Sequence, residues 1–211
     1  EVKRLYRVSN LGCGRAVSEA ITWFFDNVEE GIILEDDCLP DRTFFDYCEI
    51  MLNRYRNDIR VMHISGVNLQ NGIIRGKGSY YFSRYPHVWG WATWRRAWQY
   101  YDYNMKDWPS VSNQKKITTY FTSKSEYLFW KNIFDLVYNR KIDTWDYQWF
   151  YTMVKSNGLS IIPNINLVSN IGFGSDATHT KDAESNQGNL QTFNYSLPDV
   201  ISDVELCNEA D

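Results

Sequence analysis

The sequence predicts an α/β fold with a mixed, mainly parallel sheet flanked by helices. Two observations carry that expectation. Amphipathic helical stretches alternate with short apolar strands between residues 16 and 66, and one of those strands runs directly into the acidic triplet Glu35-Asp36-Asp37.

Residues 16–28 place Ala16, Ala20, Ile21, Phe24, Phe25 and Val28 on one helical stripe, and Gly31 ends that unit. Ile32-Ile33-Leu34 then reads as a short buried strand. Asp41, after Pro40, is placed to cap a second amphipathic helix, with Phe44, Phe45, Cys48, Met51, Leu52 and Tyr55 facing inward. Arg60–Ile64 is the next strand and ends at Ser65-Gly66. Further along, residues 79–85 read as a strand and residues 90–101 as a helix entered through a Trp-Gly-Trp turn. Residues 125–139 and 144–156 read as two aromatic-rich helices, the second closed by Gly158, and residues 159–162 as a strand stopped by Pro163. This gives a core over 1–180 and a polar, loosely held C-terminal tail over 181–211.

Composition narrows the function. The chain of 211 residues has a net charge of -4, and its longest basic runs, Arg95-Arg96 and Lys115-Lys116, are too short to track a phosphate backbone, so nucleic acid is not an expected partner. Aromatic residues make up 17%, with nine Trp and fifteen Tyr; most of these read as core, although flat apolar rings also suit stacking on sugars. Cys13, Cys38, Cys48 and Cys207 show no zinc-like spacing with the three histidines and read as reduced thiols, with two disulfides as the alternative. With no apolar run long enough to span a bilayer and no signal peptide in view, the expected location is cytoplasmic, with peripheral attachment to the inner face of a membrane compatible with it.

A strand that ends in three carboxylates lifts them to the carboxyl edge of the sheet, where open α/β sheets bind ligands. Adjacent carboxylates repel one another and call for a cation, for which Mn²⁺ or Mg²⁺ bridging to a diphosphate is the natural choice. The bland reading is a solvated acidic turn. The wider pattern goes further. Asn10-Leu11-Gly12, a helix bearing Trp23-Phe24-Phe25, the triplet, Ser65-Gly66, His87-Val88-Trp89-Gly90-Trp91-Ala92-Thr93-Trp94, Asn170-Ile171-Gly172-Phe173-Gly174 and Ala177-Thr178-His179-Thr180 occur in order over most of residues 5–180. This ordered set resembles the GT-A glycosyltransferases, and the triplet is similar to that of the N-acetylglucosaminyltransferase I group and its bacterial relatives.

The resemblance implies an enzyme that moves a sugar from a nucleotide-diphospho-sugar donor to a glycan or other hydroxyl acceptor, with inversion. It implies Asp37 as metal ligand, His179 as a second ligand, and Glu35 and Asp36 facing the nucleotide-sugar. Asn10, Gly12 and Arg15 fall where such enzymes touch the nucleotide. Trp89, Gly90 and Trp91 fall on the acceptor side, one ring stacking on a sugar and the other packing. Asp146, in Thr144-Trp145-Asp146-Tyr147-Gln148-Trp149, matches the position of the base with a one-residue difference in spacing, which keeps Asp143 in contention. His63 reads as a satisfied core residue, and His87 as an acceptor-side residue. The resemblance also implies that early nucleotide-binding strands are missing, so that the Ile32–Leu34 strand is an edge to be covered by residues 1–8, by the tail or by a second copy in a homodimer. A metal-dependent phosphoesterase and a non-catalytic carbohydrate-binding module are the competing readings.

Overall fold

A computed structural model of the chain describes residues 1–111, 115–173, 188–196 and 203–211. The chain forms two compact units, one of Glu1–Glu29 with Arg95–Asn157 and the other of Glu30–Trp94 with Gly158–Asp211.

In the first unit the described regular elements are helical: α1 (Cys13–Asn27), α3 (Arg95–Trp98), α4 (Trp108–Val111), α5 (Lys115–Thr118), α6 (Lys124–Tyr138) and α7 (Asp146–Ser156). Its core is aromatic. Trp98 stacks on Tyr101 at 4.2 Å, while Trp108 and Tyr151 each meet Phe134 edge-on, at 5.3 and 5.6 Å. Such edge and offset contacts suit the ring quadrupoles. Six of the nine tryptophans are buried, so the bland reading of the aromatic excess holds for most of them. Ser123 caps α6 by accepting from Glu126 N at 3.1 Å, and Glu126 reaches back to Thr122 N at 2.8 Å. The residue that closes α7 in the left-handed region is Asn157 (φ 55°), not Gly158. Gly158 lacks a side chain for a different reason: a Cβ there would lie 2.9 Å from Met62 Cγ.

The second unit holds the sheets, formed by β1 (Glu30–Ile33), β2 (Cys38–Pro40), β3 (Val61–Ser65), β4 (Tyr80–Ser83), β5 (Trp91–Trp94), β6 (Leu159–Pro163) and β7 (Val168–Asn170). The five-stranded sheet has the order β1-β5-β3-β6-β4, and β2 pairs with β7 in a separate ribbon. The α/β class is as expected, but the sheet is mixed and mainly antiparallel: among its neighbours only β3 and β6 run parallel. The helix–strand alternation did place β1 and β3 in the same direction. What it hid is β5, which lies between them and runs antiparallel to both. Residues 91–94 are strand where a helix was expected, and helix resumes only over Arg95–Trp98. Trp91 to Trp94 are buried on both faces, so β5 lacks the alternation by which a strand is told from a helix.

The helix α2 (Thr43–Tyr55) packs on this sheet through Phe44, Tyr47, Cys48, Met51, Leu52 and Tyr55, all buried. Each large apolar side chain so buried contributes about 1.5–3 kcal/mol. Phe45, expected inside, is 44% exposed. At the helix entry Asp41 Oδ1 accepts from Thr43 N at 2.8 Å and from Thr43 Oγ1 at 2.6 Å, so Asp41 supplies the expected cap, worth about 1 kcal/mol. Packing therefore outweighs capping in fixing α2. The described parts of the C-terminal stretch are not loose. Tyr195 N donates to Thr43 Oγ1, Cys207 N donates to Phe82 O, and the Asp211 carboxylate is 1% exposed, bonded to Ser83 and Arg84. No helix among the described residues is long and apolar enough to cross a membrane.

Candidate functional site

The directions of β1, β3 and β6 bring their carboxyl ends to one edge of the sheet. The triplet follows β1 there, in a turn closed by Cys38 N donating to Glu35 O at 3.1 Å. Asp36 is exposed, while Glu35 and Asp37 are half-buried. Asp37 is tied to the β2–β7 ribbon. Its carbonyl accepts from Ile171 N at 2.9 Å, just beyond the point where Cys38 of β2 pairs with Asn170 of β7. Gly172 then lies directly against its carboxylate, and a Cβ on that glycine would come within 2.9 Å of Asp37 Cβ and 3.0 Å of Cγ. Asn170 fixes this loop by accepting from Gly172 N at 2.8 Å through Oδ1.

Cys38 Sγ lies 3.6 Å from Asp37 Oδ1. Burial, with Asp37 and Glu35 close by, pushes the Cys38 thiol up to about 12. The protonated thiol donates to Asp37.

Trp89, half-buried, meets Phe173 edge-on at 5.4 Å. Trp91 is in the core, 0% exposed and stacked on His63 at 4.9 Å, so it is the packing member of the pair. Gly90 is required locally. Its φ is 66°, and a Cβ would fall 2.7 Å from Val168 Cγ2, so the close approach it permits is to Val168. His63 is indeed a satisfied core residue, donating from Nε2 to His87 O at 3.0 Å. Burial pulls His63 down to about 3 and His87 to about 4.

The other predicted residues gather in the first unit. Asn10 Oδ1 accepts from Gly12 N at 2.8 Å, which shapes the loop before α1. Gly12 (φ 76°) and Gly14 then face the entry to α7: a Cβ on Gly12 would lie 2.6 Å from Asp143 Oδ2, and one on Gly14 would lie 2.5 Å from the Thr144 carbonyl oxygen. Asn10, Gly12, Asp143 and Asp146 are thus parts of one local cluster. Asp143 is exposed at this contact. Asp146 is half-buried in the first turn of α7, where Thr144 Oγ1 donates to its Oδ1. Arg15 is exposed and turned along α1 toward Glu19 at 2.8 Å.

His179 lies outside the described residues. Among the described residues no three His, Cys, Asp or Glu side chains converge as a metal cage would need. The donor set fits another mode of binding, in which one or two carboxylates hold Mg²⁺ or Mn²⁺ and phosphate oxygens complete the shell. Of the three acids, Asp37 is the one that Gly172 and the Cys38 thiol both approach. Sequence reasoning missed the contacts of Cys38 and Gly172 with Asp37 and of Gly12 and Gly14 with the α7 entry; the glycines themselves were the available signal. No protein-family model matches the chain, and no curated protein does.

Proposed function

We propose that this chain is the catalytic core of a metal-dependent glycosyltransferase that moves a sugar from a nucleotide-diphospho-sugar to an acceptor hydroxyl with inversion. The observation that carries the reading is the setting of Asp37. It stands at the carboxyl edge of the sheet, backed by Gly172 and hydrogen-bonded by Cys38, on the loop that follows β1. The order of motifs that resembles GT-A enzymes adds support.

In this reading Asp37 anchors the cation on the donor diphosphate, with Glu35 and Asp36 toward the nucleotide-sugar. A divalent ion bound there supplies positive charge to the departing nucleoside diphosphate. Trp89, paired with Phe173, offers the ring face for a sugar, while Trp91 only packs. The resemblance to GT-A enzymes gives Asp146 the role of base, taking the proton of the acceptor hydroxyl as its oxygen bonds to the anomeric carbon and the bond to the diphosphate oxygen breaks. The Thr144 hydroxyl keeps that carboxylate oriented.

A thermal-shift screen against nucleoside diphosphates and nucleotide-sugars, with and without Mn²⁺, tests the reading. Stabilisation by at least one nucleotide that requires Mn²⁺ is expected, since a ligand that binds the native state alone raises its apparent stability. Equal shifts with and without the ion would contradict it.

A further inference from the structure

Residues 188–196 fall in the stretch expected from the sequence to be a loose tail, yet they run antiparallel to β7. Asn189 N donates to Asn170 O at 2.8 Å, and Phe193 N donates to Asn166 O at 2.9 Å. Side chains fasten the same stretch. Asn166 Nδ2 donates to Gln191 O at 3.2 Å, Tyr195 N donates to Thr43 Oγ1 at 2.8 Å, and the Tyr195 hydroxyl donates to Ser79 Oγ at 2.9 Å. The Tyr195 ring also packs edge-on against the buried Tyr47, at 4.9 Å. A stretch with this many backbone and ring contacts belongs to the stable part of a structure.

The first residue of the stretch touches the candidate site. A Cβ on Gly188 would fall 2.6 Å from Phe173 Cγ and 2.9 Å from its Cβ and Cδ2. Those atoms sit at the root of the side chain, where a change of rotamer does not clear them all. The missing side chain of Gly188 therefore makes room for Phe173 in its observed place. Phe173 in turn meets Trp89 edge-on, with ring centroids 5.4 Å apart and planes at 89°. The residue before it is Gly172, which lies against the Asp37 carboxylate. One loop thus carries a contact to the acid and, at the next position, a contact to the ring. All of these residues belong to the second unit.

Trp89 and Phe173 are both half-buried. A partly covered ring close to a carboxylate suits a sugar, whose C–H face packs on the ring while its hydroxyls donate to the acid. Such stacking gains from a ring that already holds one orientation, because ordering a free side chain on binding costs affinity.

We propose that the acceptor is a glycan whose sugar stacks on Trp89, and that Phe173, seated by Gly188, is the positioning residue for that ring. The inference rests on the transferase reading above and names its acceptor class.

Saturation-transfer NMR titrations with the methyl glycosides of glucose, galactose and N-acetylglucosamine test it, beside calorimetry of nucleoside diphosphates with Mn²⁺. At least one glycoside should bind the wild-type chain. Gly188→Ala should weaken that binding about 2–10-fold, the contribution of one aromatic contact, and leave Mn²⁺-dependent diphosphate binding unchanged. Phe173→Leu should lose as much, and the two changes together should lose no more, because both act through the same ring. Where Gly188→Ala does not fold, Phe173→Leu alone carries the test. A wild-type chain that binds no glycoside overturns the proposal, as does glycoside affinity unchanged in Phe173→Leu. Equal weakening of glycoside and diphosphate overturns it too, because the loop would then be disturbed as a whole. Failure of the transferase reading shows separately, as diphosphate binding that is absent or ignores Mn²⁺; glycoside binding would then overturn the acceptor role and leave a carbohydrate-binding surface.

Discussion

Gly172 sits against the carboxylate of Asp37 with no room for a side chain; an added Cβ would lie 2.9 Å from Asp37 Cβ. The glycine fixes where this acid of the triplet points. Gly172→Ala should therefore displace Asp37 without touching the core. Mn²⁺-dependent nucleotide binding is expected to weaken about 10–100-fold, the usual effect of disturbing the residues behind a metal ligand. Calorimetric titration checks this, with urea unfolding to confirm that stability is kept. Unchanged affinity would mean that Asp37 need not hold this position.

The two carboxylates near the α7 entry should separate by function. Asp146→Asn keeps shape and loses the ability to take a proton, so transfer should fall roughly 10²–10⁴-fold with donor binding retained. Asp143, exposed against Gly12, should tolerate the same change with far less loss of turnover. A steady-state comparison of the two variants decides between them, and the opposite ranking would move the base to Asp143.

Gly14 tests the local architecture. A Cβ there would press on the Thr144 carbonyl, a backbone atom that cannot rotate away. Gly14→Ala should destabilise the first unit by about 1–3 kcal/mol through overpacking. A lower urea midpoint is the expected reading, and an unchanged one would show that α1 and the α7 entry can separate at no cost.

Stability should also follow pH through His63, which is buried, and His87, which is half-buried. His63 and His87 titrate at about 3 and 4 in the folded chain because burial disfavours the imidazolium, against about 6.5 when unfolded. The unfolded state thus binds more protons between those values, so stability is full above about pH 6.5 and falls as the pH drops toward 3. Urea midpoints should be lower at pH 5 than at pH 7, and the difference should shrink in His63→Gln. A wild-type midpoint that does not change would contradict the neutral state of these rings.

Much of the fold was legible because local signals and tertiary demands agreed. The helical stripe of α2, its cap at Asp41 and the stop at Pro163 all depend on neighbours in sequence. The strand β5 was not legible, because a strand buried on both faces shows the unbroken apolar run that a buried helix also shows. The hold on the C-terminal stretch was invisible for another reason: it rests largely on polar contacts such as Cys207 N to Phe82 O and Asp211 to Ser83, which leave little hydrophobic signature. At the candidate site the sequence pointed to the acids but not to what orients them. The contact between Asp37 and Gly172 spans 135 positions and arises only when β2 pairs with β7.

The central claim is that Asp37 binds a divalent cation together with a nucleoside diphosphate. Isothermal titration of nucleoside diphosphates into the wild-type chain and into Asp37→Asn, each with Mn²⁺ and with chelator, tests it most directly. Binding by the wild type only with Mn²⁺ is expected, and none by the variant, whose unfolding transition should match that of the wild type. Mn²⁺-dependent binding of equal affinity in Asp37→Asn would contradict it.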